Sequence, residues 1–193
     1  PQEWEGKQIE LVFEAVMTDA KVTINGRKAG NGLHQGGFYR FTYDVSDRIF
    51  FGKHKNRLEV EVSKESSNSQ VNMAERRADY WNFGGIFRPV FIVCKPAFNI
   101  ERTAIDAKAD GTFNAYVLIN HVLEGAKVRT LITDMNGKKV AEQTTDVRKG
   151  SDHADISFKV NNPQLWTAET PNRYKVEFAL IDNKRKTLHI EKD

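Results

Sequence analysis

The groups of this 193-residue chain that could do chemistry are 26 carboxylates, five histidines and one thiol, and their spacing closes most routes. His34, His54, His121, His153 and His189 lie far apart in sequence, and none sits in an H-x-H or H-x-x-x-H arrangement. They therefore read as surface or turn side chains rather than metal ligands. No G-x-S-x-G elbow offers a serine nucleophile, and the glycine-rich residues 30–37 lack the lysine and serine of a phosphate loop. Cys94 is the only cysteine, so no internal disulfide can form. Its apolar neighbours Val90, Phe91, Ile92 and Val93 suggest a buried strand thiol. Glu10, Glu14, Glu59 and Glu61 recur at alternate positions of strand-like runs and belong to a solvated face. The stretch left over is Asp79-Tyr80-Trp81-Asn82-Phe83-Gly84-Gly85-Ile86-Phe87-Arg88-Pro89-Val90. Its paired glycines between aromatic residues let the backbone pass close to a neighbouring surface before a strand begins.

The elements that must position this stretch are strands. Ile9, Leu11, Phe13 and Ala15 alternate with Gln8, Glu10, Val12 and Glu14, as do Leu58, Val60 and Val62 with Glu59 and Glu61. Tyr39, Phe41, Tyr43 and Val45 form another half-buried run, and residues 90–94 predict a more fully buried one. Asn25-Gly26 marks a hairpin. Residues 64–74, polar and containing Ser66-Ser67-Asn68-Ser69, read as a long surface loop, with at most one or two helical turns over 73–80. The pattern restarts after Pro96, which places a boundary within residues 94–98 and gives domains of 1–96 and 97–193. The second set comprises roughly seven strands, with Asn136-Gly137 as a hairpin signal and Trp166 as a core plug, and fits a small immunoglobulin-like sandwich.

Composition agrees with a packed fold, since 39% hydrophobic and 28% charged residues fall in the globular range. The net charge of +3 is interspersed, and the Lys184-Arg185-Lys186 cluster is short, so no nucleic-acid partner is expected. No apolar run approaches the ~20 residues of a spanning helix, and no membrane partner is expected either. The N-terminus has no signal-peptide pattern, which does not by itself assign a compartment. A periplasmic or secreted bacterial location is favoured over a cytoplasmic one.

At the 79–90 stretch the sequence resembles the family 2 glycoside hydrolases, the group of β-galactosidases, β-glucuronidases and β-mannosidases. Their sugar-binding jelly roll ends in an acidic residue, aromatics and a G-G/S-I-F/Y-R-x-V strand. Three further segments are similar to the family in order. Val22-Thr23-Ile24-Asn25-Gly26 matches its V-N-G hairpin, Gly36-Gly37-Phe38-Tyr39-Arg40-Phe41 its G-G-y-x-p-F segment, and Asn56-Arg57-Leu58-Glu59-Val60 its N-x-L-x-V strand. In the second half Asn162-Pro163-Gln164-Leu165-Trp166, with Pro171 and Tyr174, resembles the P-x-L-W signature of the family's immunoglobulin-like domain.

The resemblance implies an all-β chain, a jelly-roll (galactose-binding-like) β-sandwich followed by an immunoglobulin-like one. The first domain opens in what resembles the middle of the jelly roll, so its earlier strands are expected to be missing. Glycosidic cleavage needs two facing carboxylates, ~5 to 9.5 Å apart, and nothing here nominates such a pair. The family carries them on a (β/α)₈ barrel of ~250 residues, expected beyond Asp193, so this chain is read as non-catalytic. The implied partners are a terminal β-linked sugar and the missing barrel, with β-galactosidase as the favoured activity. The alternative is a stand-alone carbohydrate-binding or structural module. The resemblance gives Asp79 the role of reaching into the barrel's pocket to bind sugar hydroxyls, against an ion pair with Arg76, Arg77 or Arg88. No cofactor is expected in this chain, and sodium or magnesium only in the full-length enzyme. Asn82 would donate to a sugar or cap the loop. Trp81 and Phe83 could face sugar C–H groups, although packing inside the sandwich is the commoner fate of such rings. Arg88 would tie loop to strand or domain to domain.

Overall fold

The computed structural model describes residues 1–77, 81–121 and 123–193. Its regular structure is almost wholly antiparallel strand, and it divides into two compact units, Pro1–Lys95 and Pro96–Asp193.

In the first unit, β1 (Gln8–Phe13) lies between β5 (Phe41–Asp44) and β8 (Val90–Lys95). A second sheet places β3 (Asp19–Ile24) between β4 (Arg27–Lys28) and β6 (Leu58–Ser63). The short β2 (Val16–Met17) pairs with β7 (Gly85–Ile86), Val16 opposite Ile86 and Met17 opposite Gly85. Alternation does what the sequence predicts: Ile9, Leu11 and Phe13 from β1 meet Ala20, Val22 and Ile24 from β3 in one apolar core. Asn25 and Gly26 both take positive φ, 52° and 75°, the backbone of a two-residue hairpin turn. Asn25 also works beyond the turn. Its amide donates to the Arg48 carbonyl and to Asn56 Oδ1, while its oxygen accepts the Arg57 N–H at 2.9 Å.

Two expectations need correction in this unit. Strand β8 is an edge strand, so Phe91 and Ile92 are 39% and 47% exposed rather than fully buried. The predicted loop over 64–74 contains a helix, α1 (Ser69–Arg76), started by Asn68, whose side chain accepts from the Gln70 and Val71 N–H groups.

Among the described residues the second unit has seven strands in two sheets. β10 (Thr112–Asn120) runs between β9 (Asn99–Ala107) and β13 (His153–Lys159). The other sheet orders β12 (Lys139–Asp146), β11 (Lys127–Asp134), β14 (Tyr174–Ile181) and β15 (Thr187–Lys192). Strict alternation along β10 buries Phe113, Ala115, Val117 and Ile119 against Val128, Ile132, Phe178 and Leu180. The Asn136-Gly137 hairpin closes differently from the first: only Gly137 is at positive φ, and the Asp134 carboxylate accepts the N–H groups of Asn136 and Lys138, both at 2.9 Å.

Trp166 is not the core plug. It is 65% exposed, pairs with Pro171 in an isolated bridge, and borders an open apolar cleft of about 570 Å³ with Leu165 and Tyr174. The centre of the sandwich is already filled by Phe178, Val117 and Val128, all fully buried, and the Trp166 loop is held instead by Tyr174, whose hydroxyl accepts the Gln164 N–H at 2.7 Å.

Phe178→Ala empties the centre of this core. It is expected to lower the unfolding free energy of the second unit by about 3–5 kcal/mol, measured by denaturant titration with hydrogen exchange on β11 and β14. A loss below about 1 kcal/mol would mean that Phe178 is not the central packing residue.

Candidate functional site

The stretch singled out by sequence is the far end of an excursion that leaves β6 at Ser63 and returns through β7. Both feet of that excursion stand on residues 16–19. The returning foot is the β2–β7 pair, in which Gly85 sits opposite Met17 with φ 85°, a backbone that favours glycine. The departing foot is held by hydrogen bonds. Thr18 N–H donates to the Ser63 carbonyl at 2.8 Å. The buried Asp19 carboxylate then accepts from Ser66 Oγ at 2.6 Å, from Ser67 N–H at 2.8 Å, from Ser67 Oγ at 2.9 Å and from Gln35 Nε2 at 3.2 Å. Ser66 N–H in turn donates to Asn72 Oδ1 within α1.

A second buried carboxylate, Glu75, closes the other end of the helix. It accepts from Thr18 Oγ1 and from the Gly37 N–H. Space is tight at Gly37, because a Cβ there would stand 2.7 Å from Cε and 3.3 Å from Cβ of the buried Met17, whose side chain would have to shift. Gly37 leads directly into Phe38, which meets Phe87 edge-on with centroids 6.5 Å apart, and Phe87 stacks on Phe83 at 5.5 Å. Beside this row Trp81 is 86% exposed, and Asn82 carries a buried Oδ1 with no hydrogen-bond partner among the described residues. The surface therefore offers exposed aromatic faces, which suit a ligand with apolar C–H groups, while the unpartnered Asn82 acceptor lies buried beneath it.

The electrostatics follow from the same contacts. Burial alone would raise the Asp19 carboxyl, but the hydrogen bonds from Ser66, Ser67 and Gln35 outweigh it and hold its pKa below the usual value of 3.8. His34 is pushed down by burial: its ring stacks on Phe41 at 3.6 Å and its Nε2 meets the Gly36 carbonyl at 3.0 Å, so Nε2 carries the proton. His34 is thus a packed histidine rather than a surface one. Glu14 is held low by the hydrogen bond from Arg40, with Arg88 adding its charge from the exposed side.

Of the predicted site residues, Trp81 and Asn82 fall together on this rim, and Trp81 and Phe83 lie outside the sandwich core. Asp79 lies outside the described residues. Sequence reasoning missed the residues that hold the rim, Thr18, Asp19, Gln35, Ser66 and Glu75. No sequence signal marks them: Thr18 lies just before β3 and Asp19 opens it, and both are buried although their parity differs. Among the described residues no group of three or more His, Cys, Asp or Glu could hold a metal ion.

With this geometry in hand, comparison with known proteins gives the family. Residues 1–96 match the sugar binding domain of the glycosyl hydrolases family 2, and residues 98–193 match a second domain of the same family. The chain belongs to glycosyl hydrolase family 2. It is 29% identical over 182 residues to a putative beta-glucuronidase of Formosa agariphila, covering 91% of this chain and 21% of that protein. It is 26% identical to a beta-galactosidase of Thermoanaerobacter pseudethanolicus, covering 93% of this chain and 24% of the relative. Among solved structures, Bacteroides uniformis beta-glucuronidase superposes with a TM-score of 0.81 at 24% identity, over the whole of this chain and 24% of that one, a likeness of fold. The chain spans between a fifth and a quarter of the length of these relatives.

Asp19→Ala removes the acceptor from four donors and is expected to cost about 2–3 kcal/mol, read as lost hydrogen-exchange protection over residues 66–76. The pH dependence has a definite sign. A carboxyl whose folded pKa is depressed contributes its full stability above the unfolded value and loses it as pH falls through the folded value. Protection of 66–76 in the wild type should therefore be flat above pH 3.8 and fall below it, while Asp19→Ala loses that step.

Proposed function

We propose that the first unit supplies one wall of the substrate pocket of an exo-acting, retaining β-glycoside hydrolase, and that both units serve as its non-catalytic part. The observation that carries this reading is the fixed rim at 81–87, where an almost fully exposed Trp81 adjoins an unpartnered Asn82 oxygen within a sugar binding domain. Trp81 would cover the apolar C–H face of a terminal sugar, and a turn of the Asn82 side chain out of its buried position would let Oδ1 accept one hydroxyl. Asp79, two residues before Trp81, would accept two more, which an ionised carboxylate does strongly.

The acid/base and nucleophile are assigned to the barrel of the full-length enzyme, where two carboxylates ~5–5.5 Å apart would give retention through a covalent glycosyl intermediate. β-Galactosidase is the activity we favour. The β-galactosidase and β-glucuronidase names among the relatives support a terminal β-linked sugar of that size.

Two measurements test this. The 193-residue chain is expected to show no turnover of aryl β-glycosides and only weak binding of methyl β-D-galactopyranoside, with shifts at Trp81 and Asn82 in an NMR titration. Turnover abolished by mutating one of its own carboxylates would refute the non-catalytic reading. Tight binding by the chain alone would favour a free-standing carbohydrate-binding module. In the full-length enzyme, Asp79→Asn is expected to lower kcat/KM by roughly 30- to 1000-fold, the worth of one charged hydrogen bond in the transition state, with the fold retained. Wild-type kinetics would show that Asp79 makes a structural ion pair instead.

A further inference from the structure

Helix α1 has one buried residue, and it is an acid. Two turns of helix are too short to be stable in water on their own, and the apolar side chains do not dock this one: Met73 is exposed and Val71 only half-buried. Polar contacts tie the helix down instead: Asn72 Oδ1 accepts the Ser66 N–H, Arg76 donates to the Lys64 carbonyl, and the buried Glu75 carboxylate accepts separate donors from two distant segments, Thr18 Oγ1 just before β3 and the Gly37 N–H in the turn leading to Phe38.

We propose that Glu75 is a positioning residue for the aromatic rim, the sugar-facing rim of the reading above, on which its functional meaning rests. The path is a short run of contacts. Glu75 sets the Gly37 amide, Gly37 fixes where Phe38 leaves the turn, Phe38 meets the edge of Phe87, and Phe87 stacks on Phe83 between Trp81 and β7. From its other side the same carboxylate, through α1, sets where the chain leaves Arg76, five residues before Trp81. Asp19 cannot replace it, because Asp19 holds the segment before the helix, at Ser66 and Ser67.

The chemistry at Glu75 predicts an ordered series of variants. Glu75→Ala leaves two buried donors without acceptors. Thr18→Val keeps shape but removes one donor. Glu75→Gln can keep its Oε1 on the Gly37 N–H while its amide donates to Thr18 Oγ1, since a hydroxyl accepts as well as donates.

The test uses the 193-residue chain and three readouts: amide exchange, NMR signals of the Trp81 indole and of the Phe83 and Phe87 rings, and titration with methyl β-D-galactopyranoside. Glu75→Ala is expected to lower protection of 69–77 by roughly 10- to 100-fold, with β1 and β3 unchanged, to shift the rim signals, and to weaken sugar binding by a similar factor. Thr18→Val should give a smaller effect of the same kind, and Glu75→Gln should restore both rim signals and affinity towards wild type. Lost protection with rim signals unchanged overturns the proposal, because Glu75 would then hold only its own helix. Failure of Glu75→Gln to recover anything beyond Glu75→Ala overturns it too. If the wild-type chain does not bind the sugar, the functional reading above fails by itself, and the exchange and rim signals still decide whether Glu75 positions the rim.

Discussion

Residues 16–19 are the footing of the candidate site. In four consecutive positions the chain supplies a two-residue strand to pair with Gly85 and Ile86, a hydroxyl for Glu75 and a carboxylate for Ser66 and Ser67. An excursion of more than twenty residues thereby begins and ends on one segment that is buried throughout, as are its neighbours Ala15 and Ala20. Loops that carry binding groups are generally mobile, and this one is made specific by fastening it twice to the same place. Moving residues 16–19 would move both feet together, which preserves the shape of the rim.

Besides the backbone bond from Thr18 to Ser63, the excursion is fastened through two carboxylates, Asp19 and Glu75, and that choice has an energetic reason. A polar excursion has little apolar surface to bury, so the hydrophobic effect cannot fix it. Ionised acceptors supplied with several donors can, because such bonds are worth about twice neutral ones. Asp19 illustrates the balance: desolvation works against its ionised form, and four donors more than offset it. The second unit makes smaller use of the same device. Asp110, capping the turn at Thr112 and joined by Lys159 at 3.0 Å, is held at a pKa of about 2.

The strands were legible in the sequence because alternation and burial agree along β10 and over most of β3, and over parts of β1 and β14, where runs of three buried residues break the pattern, and Asn25-Gly26 announced a turn that the backbone adopts. Three readings failed for a common cause, the neighbours that a single segment does not reveal. Residues 90–94 look like a central strand but lie at a sheet edge, Trp166 looks like a core residue but finds the core occupied, and α1 lacks the apolar stripe by which helices are recognised. The candidate site was legible only in part. Trp81 and Asn82 were named from the aromatic-glycine run for a sugar-facing role that stays a proposal, whereas Asp19 and Glu75 could not be, since a carboxylate destined for burial looks like any surface acid until its donors are known.

A helix held by an acid rather than by apolar contact also has a thermal character of its own. Heat-capacity changes on unfolding arise mainly from newly exposed apolar surface, and no apolar side chain of α1 is fully buried, Met73 being exposed and Val71 half-buried. Its opening should therefore follow a nearly straight van't Hoff line, while the β-sandwich beneath it, with Phe13, Ile9 and Val45 sealed inside, keeps the curved stability of an apolar core. On cooling, the core's driving force weakens and the helix's attachment does not. Heat and cold thus bear differently on the two, and the site-bearing excursion is the part whose hold is least tied to the hydrophobic effect.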